Sequence, residues 1–165
     1  MNKNDHLLEM IKKISIFSPI ASDEDIMKKL ANCLIEKEFK KGDVIIKEGE
    51  IGTSLYIIYS GSVRITKQTT YKDSYTVVIL KDHENIFFGE ICLLEDSVRT
   101  ANVICEEDSI FYILQRDDFN RLCSENYRFG YYVLKSLSKI LADRLKKSNE
   151  DIMILFNALL HEIED

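Results

Sequence analysis

The chain has 165 residues, 45% apolar and 30% charged, with a formal net charge of -6: enough apolar material for one hydrophobic core, and nothing that asks for a second. Charge of both signs is spread along the sequence, which argues against duplex nucleic acid as a direct partner, since such proteins carry a basic face that neutralises phosphates. Asp5 and Glu9 precede any apolar block and apolar runs such as Leu55 to Tyr59 stop at about five residues, so neither a signal peptide nor a membrane span is expected.

From Leu7 to Asn32 apolar residues recur at helical spacing (Leu7, Ile11, Ile14, then Ile26, Met27, Leu30), interrupted by Pro19. This predicts two short helices, the second opened by a capping-box-like pair, Ser22 and Asp25. Between Leu34 and Leu114 short β-rich segments follow: Val44 to Ile46, Leu55 to Tyr59, Val63 to Ile65, Thr76 to Leu80, Ala101 to Cys105 and Ile110 to Leu114. Five of the six glycines (Gly42, Gly49, Gly52, Gly61, Gly89) fall in this stretch, at its turns. Strands at this repeat predict a barrel or jelly-roll-like antiparallel β-roll. Asp117 and Asp118 then open a short helix containing Phe119 and Leu122, and helix resumes at Tyr127. The expected class is α+β, a single domain: an N-terminal helical segment (1–33), a β-roll (34–115) and C-terminal helices (116–165).

Cys33, Cys92, Cys105 and Cys123 lie far apart without paired spacing, as buried free thiols of a reducing compartment do, which favours the cytoplasm. From Leu134 a 4/3 spacing runs through Leu141, Leu145, Ile152, Leu155 and Leu159, interrupted by Ser138, Ser148 and Glu162. One helix from Tyr127 to Ile163 would span about 55 Å, more than a small roll can cover. That points to a homodimer or a protein partner on the stripe. The alternative is two helices, the second starting at Ser148-Asn149-Glu150-Asp151.

The segment richest in chemistry runs from Phe88 to Val103. Gly89 allows close backbone approach to a ligand, and a following helical start offers free N–H groups to an anion. Arg99, nine residues after Glu90, can return to the same place: a guanidinium grips two phosphate oxygens, and a carboxylate accepts from a sugar hydroxyl. A structural ion pair between Glu90 and Arg99 is the bland alternative.

The run Phe88-Gly89-Glu90, the pair Leu93-Leu94 and Arg99-Thr100-Ala101-Asn102-Val103 together resemble the phosphate-binding cassette of cyclic-nucleotide-binding domains, found in catabolite-activator-type regulators, kinase regulatory subunits and gated channels. Lys41 to Gly49 and Ser54 to Val63 resemble the family's first strands and turn glycines, so the similarity covers about residues 14 to 123. The resemblance implies that Arg99 contacts the exocyclic phosphate oxygens and Glu90 the ribose 2′-hydroxyl. The backbone N–H groups of Gly89, Ile91, Thr100 and Ala101 complete the cradle, and Phe88 and Leu93 pack the cassette. It also implies a regulatory module with no catalytic residue, metal or cofactor, whose C-terminal helix closes as a lid. Thr100 resembles the arrangement in cGMP-dependent relatives, while the compact form favours cAMP slightly. Departures are the glycine-free loop Lys81 to Phe87, Cys92 in place of a common alanine and Val98 where proline is frequent.

Two rivals remain in view. A cupin-type metalloenzyme shares the roll, but His6, His83 and His161 are too far apart in sequence to suggest a metal set. An interaction module that keeps the fold without binding nucleotide is the stronger one. A helix-turn-helix domain has no room before Asp165, so a DNA-binding regulator is not expected.

Overall fold

The computed structural model describes residues 3–68, 74–82 and 86–164. Helix α1 (Lys3–Lys13) and α2 (Glu24–Cys33) form where the apolar spacing predicts them, burying Leu7, Ile11, Ile26, Met27 and Leu30. The start of α2 differs in detail from the expected Ser22 cap. Asp23 is the N-cap, its carboxylate accepting from the Ile26 N–H at 3.3 Å, with Glu24 and Asp25 complementing the helix dipole in the first turn.

Eight strands follow: β1 (Ile35–Phe39), β2 (Val44–Ile46), β3 (Ser54–Ser60), β4 (Ser62–Gln68), β5 (Ser74–Lys81), β6 (Phe87–Phe88), β7 (Asn102–Cys105) and β8 (Ser109–Gln115). They form two four-stranded antiparallel sheets, ordered β1-β8-β3-β6 and β2-β7-β4-β5. This is the expected β-roll, with helices at both ends of the chain.

Strand β8 shows how the layers are built. Its side chains alternate, so Tyr112 and Leu114 join the cluster beneath the helices while Phe111 and Ile113 join the cluster inside the roll. The helix-side cluster is centred on Phe17, Phe119 and Phe129; Phe129 stacks on Phe17 with centroids 6.4 Å apart and lies 6.0 Å from Phe119. The inner cluster gathers Ile58, Val63, Phe88, Val103 and Phe111.

Helix α3 (Arg116–Glu125) and the 38-residue α4 (Tyr127–Glu164) close the chain. No break occurs at Ser148, so the two-helix alternative is not what the chain adopts. At 1.5 Å per residue α4 is about 57 Å long. Phe129, Val133 and Leu137 anchor its first turns in the core, and residues 142–160 are all exposed.

Candidate ligand-binding site

Between β6 and β7 the chain turns sharply at Gly89, whose φ of 76° lies in the left-handed region that suits glycine, and enters a 3-10 turn over Glu90–Leu93. A Cβ on Gly89 would come within 2.6 Å of Arg99 Nη1 and 3.1 Å of the Ser54 carbonyl oxygen. The close approach therefore serves the arginine. Arg99 Nη1 donates to the Gly89 carbonyl at 3.0 Å and Nη2 to the Ser54 carbonyl at 2.6 Å. Its backbone is pinned as well: Arg99 N–H donates to Glu50 O at 2.7 Å and Gly49 N–H to Arg99 O at 2.9 Å. Gly52 completes the fit, because a Cβ there would meet Arg99 Nε at 2.3 Å. Two carbonyls thus fix the plane of the guanidinium and leave further N–H groups of its fork for an anion.

Glu90 is only 3% exposed. Its carboxylate is ion-paired with Arg144 of α4, not with Arg99, so the bland Glu90–Arg99 reading gives way to a different partner. Cys92, where an alanine was the commoner residue, is buried, and its thiol donates to the same Gly89 carbonyl at 3.0 Å. Burial pushes that thiol above its ordinary value and the nearby Arg99 charge pulls against the shift, so Cys92 stays a neutral, poorly nucleophilic group.

These groups border one cavity of about 620 Å³, and all six residues expected to hold the ligand, Gly89, Glu90, Ile91, Arg99, Thr100 and Ala101, line it. The facing wall is apolar, from Ile65, Leu80 and Val103, and Ile140 and Arg144 of α4 stand at its edge with Lys13 at the end of α1. Phe88 packs as expected, stacked on Tyr56 at 5.2 Å, and also contributes to the cavity wall; Leu93 is buried in the helix-side cluster. An anchored cation, N–H groups at a tight turn, a buried carboxylate and an apolar wall suit a small ligand with an anionic end, a sugar hydroxyl and a flat base.

Sequence reasoning missed Gly52, Ser54 and Arg144. Arg144 is 54 residues from Glu90. The signal that could have found it is the helical spacing that leads from the buried Leu137 through the half-buried Ile140 to Arg144 on one side of α4. The glycine-free loop is only partly described, since His83, Glu84 and Asn85 lie outside the described residues. Val98 is exposed and forms an isolated bridge with Ile51. Among the described residues no cluster of His, Cys, Asp and Glu could hold a metal ion, and no helix is long and apolar enough to cross a membrane.

The family described as cyclic nucleotide-binding domain matches residues 36–126, which include every residue of this cradle except the flanking contribution of α4 and α1. The chain belongs to the cyclic nucleotide-binding domain family. It is 35% identical over 120 residues to a cGMP-dependent protein kinase of Drosophila melanogaster, covering 70% of this chain and 12% of that one. It is 36% identical over 116 residues to the cAMP-dependent protein kinase regulatory subunit of Dictyostelium discoideum, covering 70% of this chain and 35% of the relative. The chain therefore spans a minor part of both relatives and is homologous to the regulatory regions of such kinases. Among solved structures, the Thermus thermophilus catabolite activator protein superposes with a TM-score of 0.74 at 26% identity over 86% of this chain and 62% of that one. The regulatory domain of Toxoplasma gondii PKA, co-crystallised with cAMP, gives 0.71 at 26% identity over 86% and 50%.

Proposed function

We propose that this cyclic nucleotide-binding domain is a sensor that binds cAMP or cGMP in the cavity beneath α4 and passes occupancy on through that helix. The observation that carries the reading is the anchored Arg99: a guanidinium held by two carbonyls at the mouth of a 3-10 turn is prepared for phosphate before any ligand arrives. In this reading Glu90 receives the ribose 2′-hydroxyl and the N–H groups of Gly89, Ile91, Thr100 and Ala101 complete the cradle. The relay follows from the ion pair. A ribose hydroxyl on Glu90 competes with Arg144 for one carboxylate, so the ligand changes how α4 is held and shifts its population of positions. The exposed stripe of α4 adds a homodimer or a protein partner as receiver, and the four free cysteines fit a reducing cytoplasm.

Thr100, exposed at the cavity, is the residue to rank the two bases, because its hydroxyl can reach a guanine amino group. The sequence lean toward cAMP and the cGMP-dependent relative pull in opposite directions. Titration of both nucleotides by calorimetry, with Thr100→Ala beside the wild type, decides between them: a selective loss of cGMP affinity assigns guanine recognition to Thr100. No heat from either nucleotide overturns the sensor reading.

A second reading has one observation in its favour. Arg99 and Glu90 already have partners within the chain, two carbonyls for the one and Arg144 for the other, as an interaction module without ligand would need. The same titration separates the two.

A further inference from the structure

The ion pair at the edge of the cavity is lopsided. The Glu90 side chain is 4% exposed and that of Arg144 57%, so a buried carboxylate is matched by a cation standing mostly in solvent. Arg144 is also the last residue of α4 to line the cavity: Phe129, Val133 and Leu137 are buried, Ile140 is half-buried, and residues 142–160 are all exposed. A helix whose last contact is one exposed side chain opens there first. When Arg144 swings out it leaves a buried charge without a counter-charge, which is strongly destabilising unless another cation takes its place.

That cation is on α1. Among the described residues four charged side chains line the cavity, Lys13, Glu90, Arg99 and Arg144; Asp143 and Lys147, neighbours of Arg144 on α4, do not. Arg99 is tied to the Gly89 and Ser54 carbonyls and is not available to Glu90. The Lys13 side chain is exposed and has no ion pair or hydrogen bond among the described residues. Glu9, one turn before it, is already paired with Lys12 at 2.9 Å. The backbone around Lys13 is fixed, since Ile11 and Ile14 are fully buried, while its flexible four-carbon stem lets the ammonium move along the cavity edge. On Glu90, Arg144 takes Oε1 and no donor meets the second oxygen among the described residues, so the carboxylate has an acceptor to spare.

We infer that Lys13 is a positioning residue for Glu90: as Arg144 leaves, the Lys13 ammonium moves onto the same carboxylate, so that α1 and α4 compete for one buried charge. Lys13 then sets how easily α4 lets go. Without it, release strands the carboxylate and the helix holds on more firmly. The exchange of partners belongs to the chain without nucleotide, so it goes beyond the sensor reading and does not rest on it.

Hydrogen exchange and urea unfolding of the full chain without nucleotide test this. Lys13→Met keeps most of the stem and removes the charge. Amides of residues 141–147 should then exchange more slowly, by about threefold or more, while Lys13→Arg and Lys12→Met leave them as they are. Unchanged or faster exchange in Lys13→Met overturns the inference, faster exchange being what the loss of an ordinary packing contact gives. In unfolding, Arg144→Met should lower the folding equilibrium constant about tenfold or less while Lys13 is present, and about a hundredfold in the Lys13→Met background, where nothing takes the carboxylate. Adding Glu90→Gln should abolish that difference, and should restore folding to a double variant that no longer folds. Equal losses in both backgrounds, or a difference that survives Glu90→Gln, overturn the exchange. Calorimetry with cAMP and cGMP reports the sensor reading separately: a chain that binds neither yet shows the slower exchange refutes the sensor alone, and one that binds but shows equal losses refutes the exchange alone.

Discussion

The two sheets of the roll have different surroundings. In the sheet β1-β8-β3-β6 the central strands β3 and β8 are buried along most of their length, between the helix-side cluster on one face and the inner cluster on the other, and only the edge strand β1 is mostly exposed. The sheet β2-β7-β4-β5 has an inner face turned to the cavity and an outer face turned to solvent, where Tyr75, Val77 and Ile79 of edge strand β5 are about half exposed. Stability is concentrated in the first sheet and its helices, whereas the ligand site is walled by the second sheet and the cassette. Stability and binding should therefore respond to different substitutions.

The largest expected effect tests the covered side. Phe129→Ala removes a fully buried ring that touches both Phe17 and Phe119, and should cost about 3–5 kcal/mol in urea unfolding. A loss below about 1 kcal/mol would place the stability elsewhere. On the cavity side, Arg99→Ala should cost about 2–5 kcal/mol of nucleotide binding, since a desolvated phosphate loses its charged partner. The unliganded protein should lose less than that in unfolding free energy, because only two hydrogen bonds to carbonyls disappear. If Arg99→Ala unfolds the protein as Phe129→Ala does, the two sheets are not separable.

Glu90→Gln should act more weakly, by about 1–3 kcal/mol of binding, and should weaken the ribonucleotide more than its 2′-deoxy analogue, which lacks the hydroxyl. Equal losses for the two ligands would remove the ribose role. The smallest effect is alkaline. Burial and the Glu36 carboxylate, which accepts from the Tyr112 hydroxyl at 2.9 Å, raise that phenol above its ordinary 10.0, and burial pushes the Cys123 thiol from 9.0 to about 11. Both groups are held protonated in the folded chain more firmly than in the unfolded one. Their contribution is full below about pH 9, and declines as the unfolded chain deprotonates above it. Tyr112→Phe should flatten the part of the decline above pH 10; an unchanged slope would show that the phenol does not contribute.

How much of this was legible in the sequence depended on how local the cause was. Strand β2 has the bounds read from Val44 to Ile46, and β3, β4, β5 and β8 contain the segments read for them, because β-branched and aromatic runs between turn residues carry their own signal. Strand β1 was missed: Ile35-Glu36-Lys37-Glu38-Phe39 is mostly charged and exposed, and becomes a strand only by pairing with β8. The two-residue β6 exists only beside β3. The grouping of Gly89, Glu90 and Arg99 around one cavity was readable because they lie within a dozen residues of one another, whereas Arg144, Gly52 and Ser54 reach the same place through the fold.

One consequence of the way Arg99 is held concerns which mutations the site can survive. Both oxygens that orient the guanidinium are main-chain carbonyls, so no change of side chain at residue 54 or elsewhere deletes an acceptor. The weak points are instead the two positions with no side chain at all. Any residue larger than glycine at 52 puts a carbon where Arg99 Nε and Cζ lie, and at 89 it collides with Nη1 in a conformation that already disfavours it. A lineage that loses Gly52 or Gly89 evicts its arginine without ever mutating it.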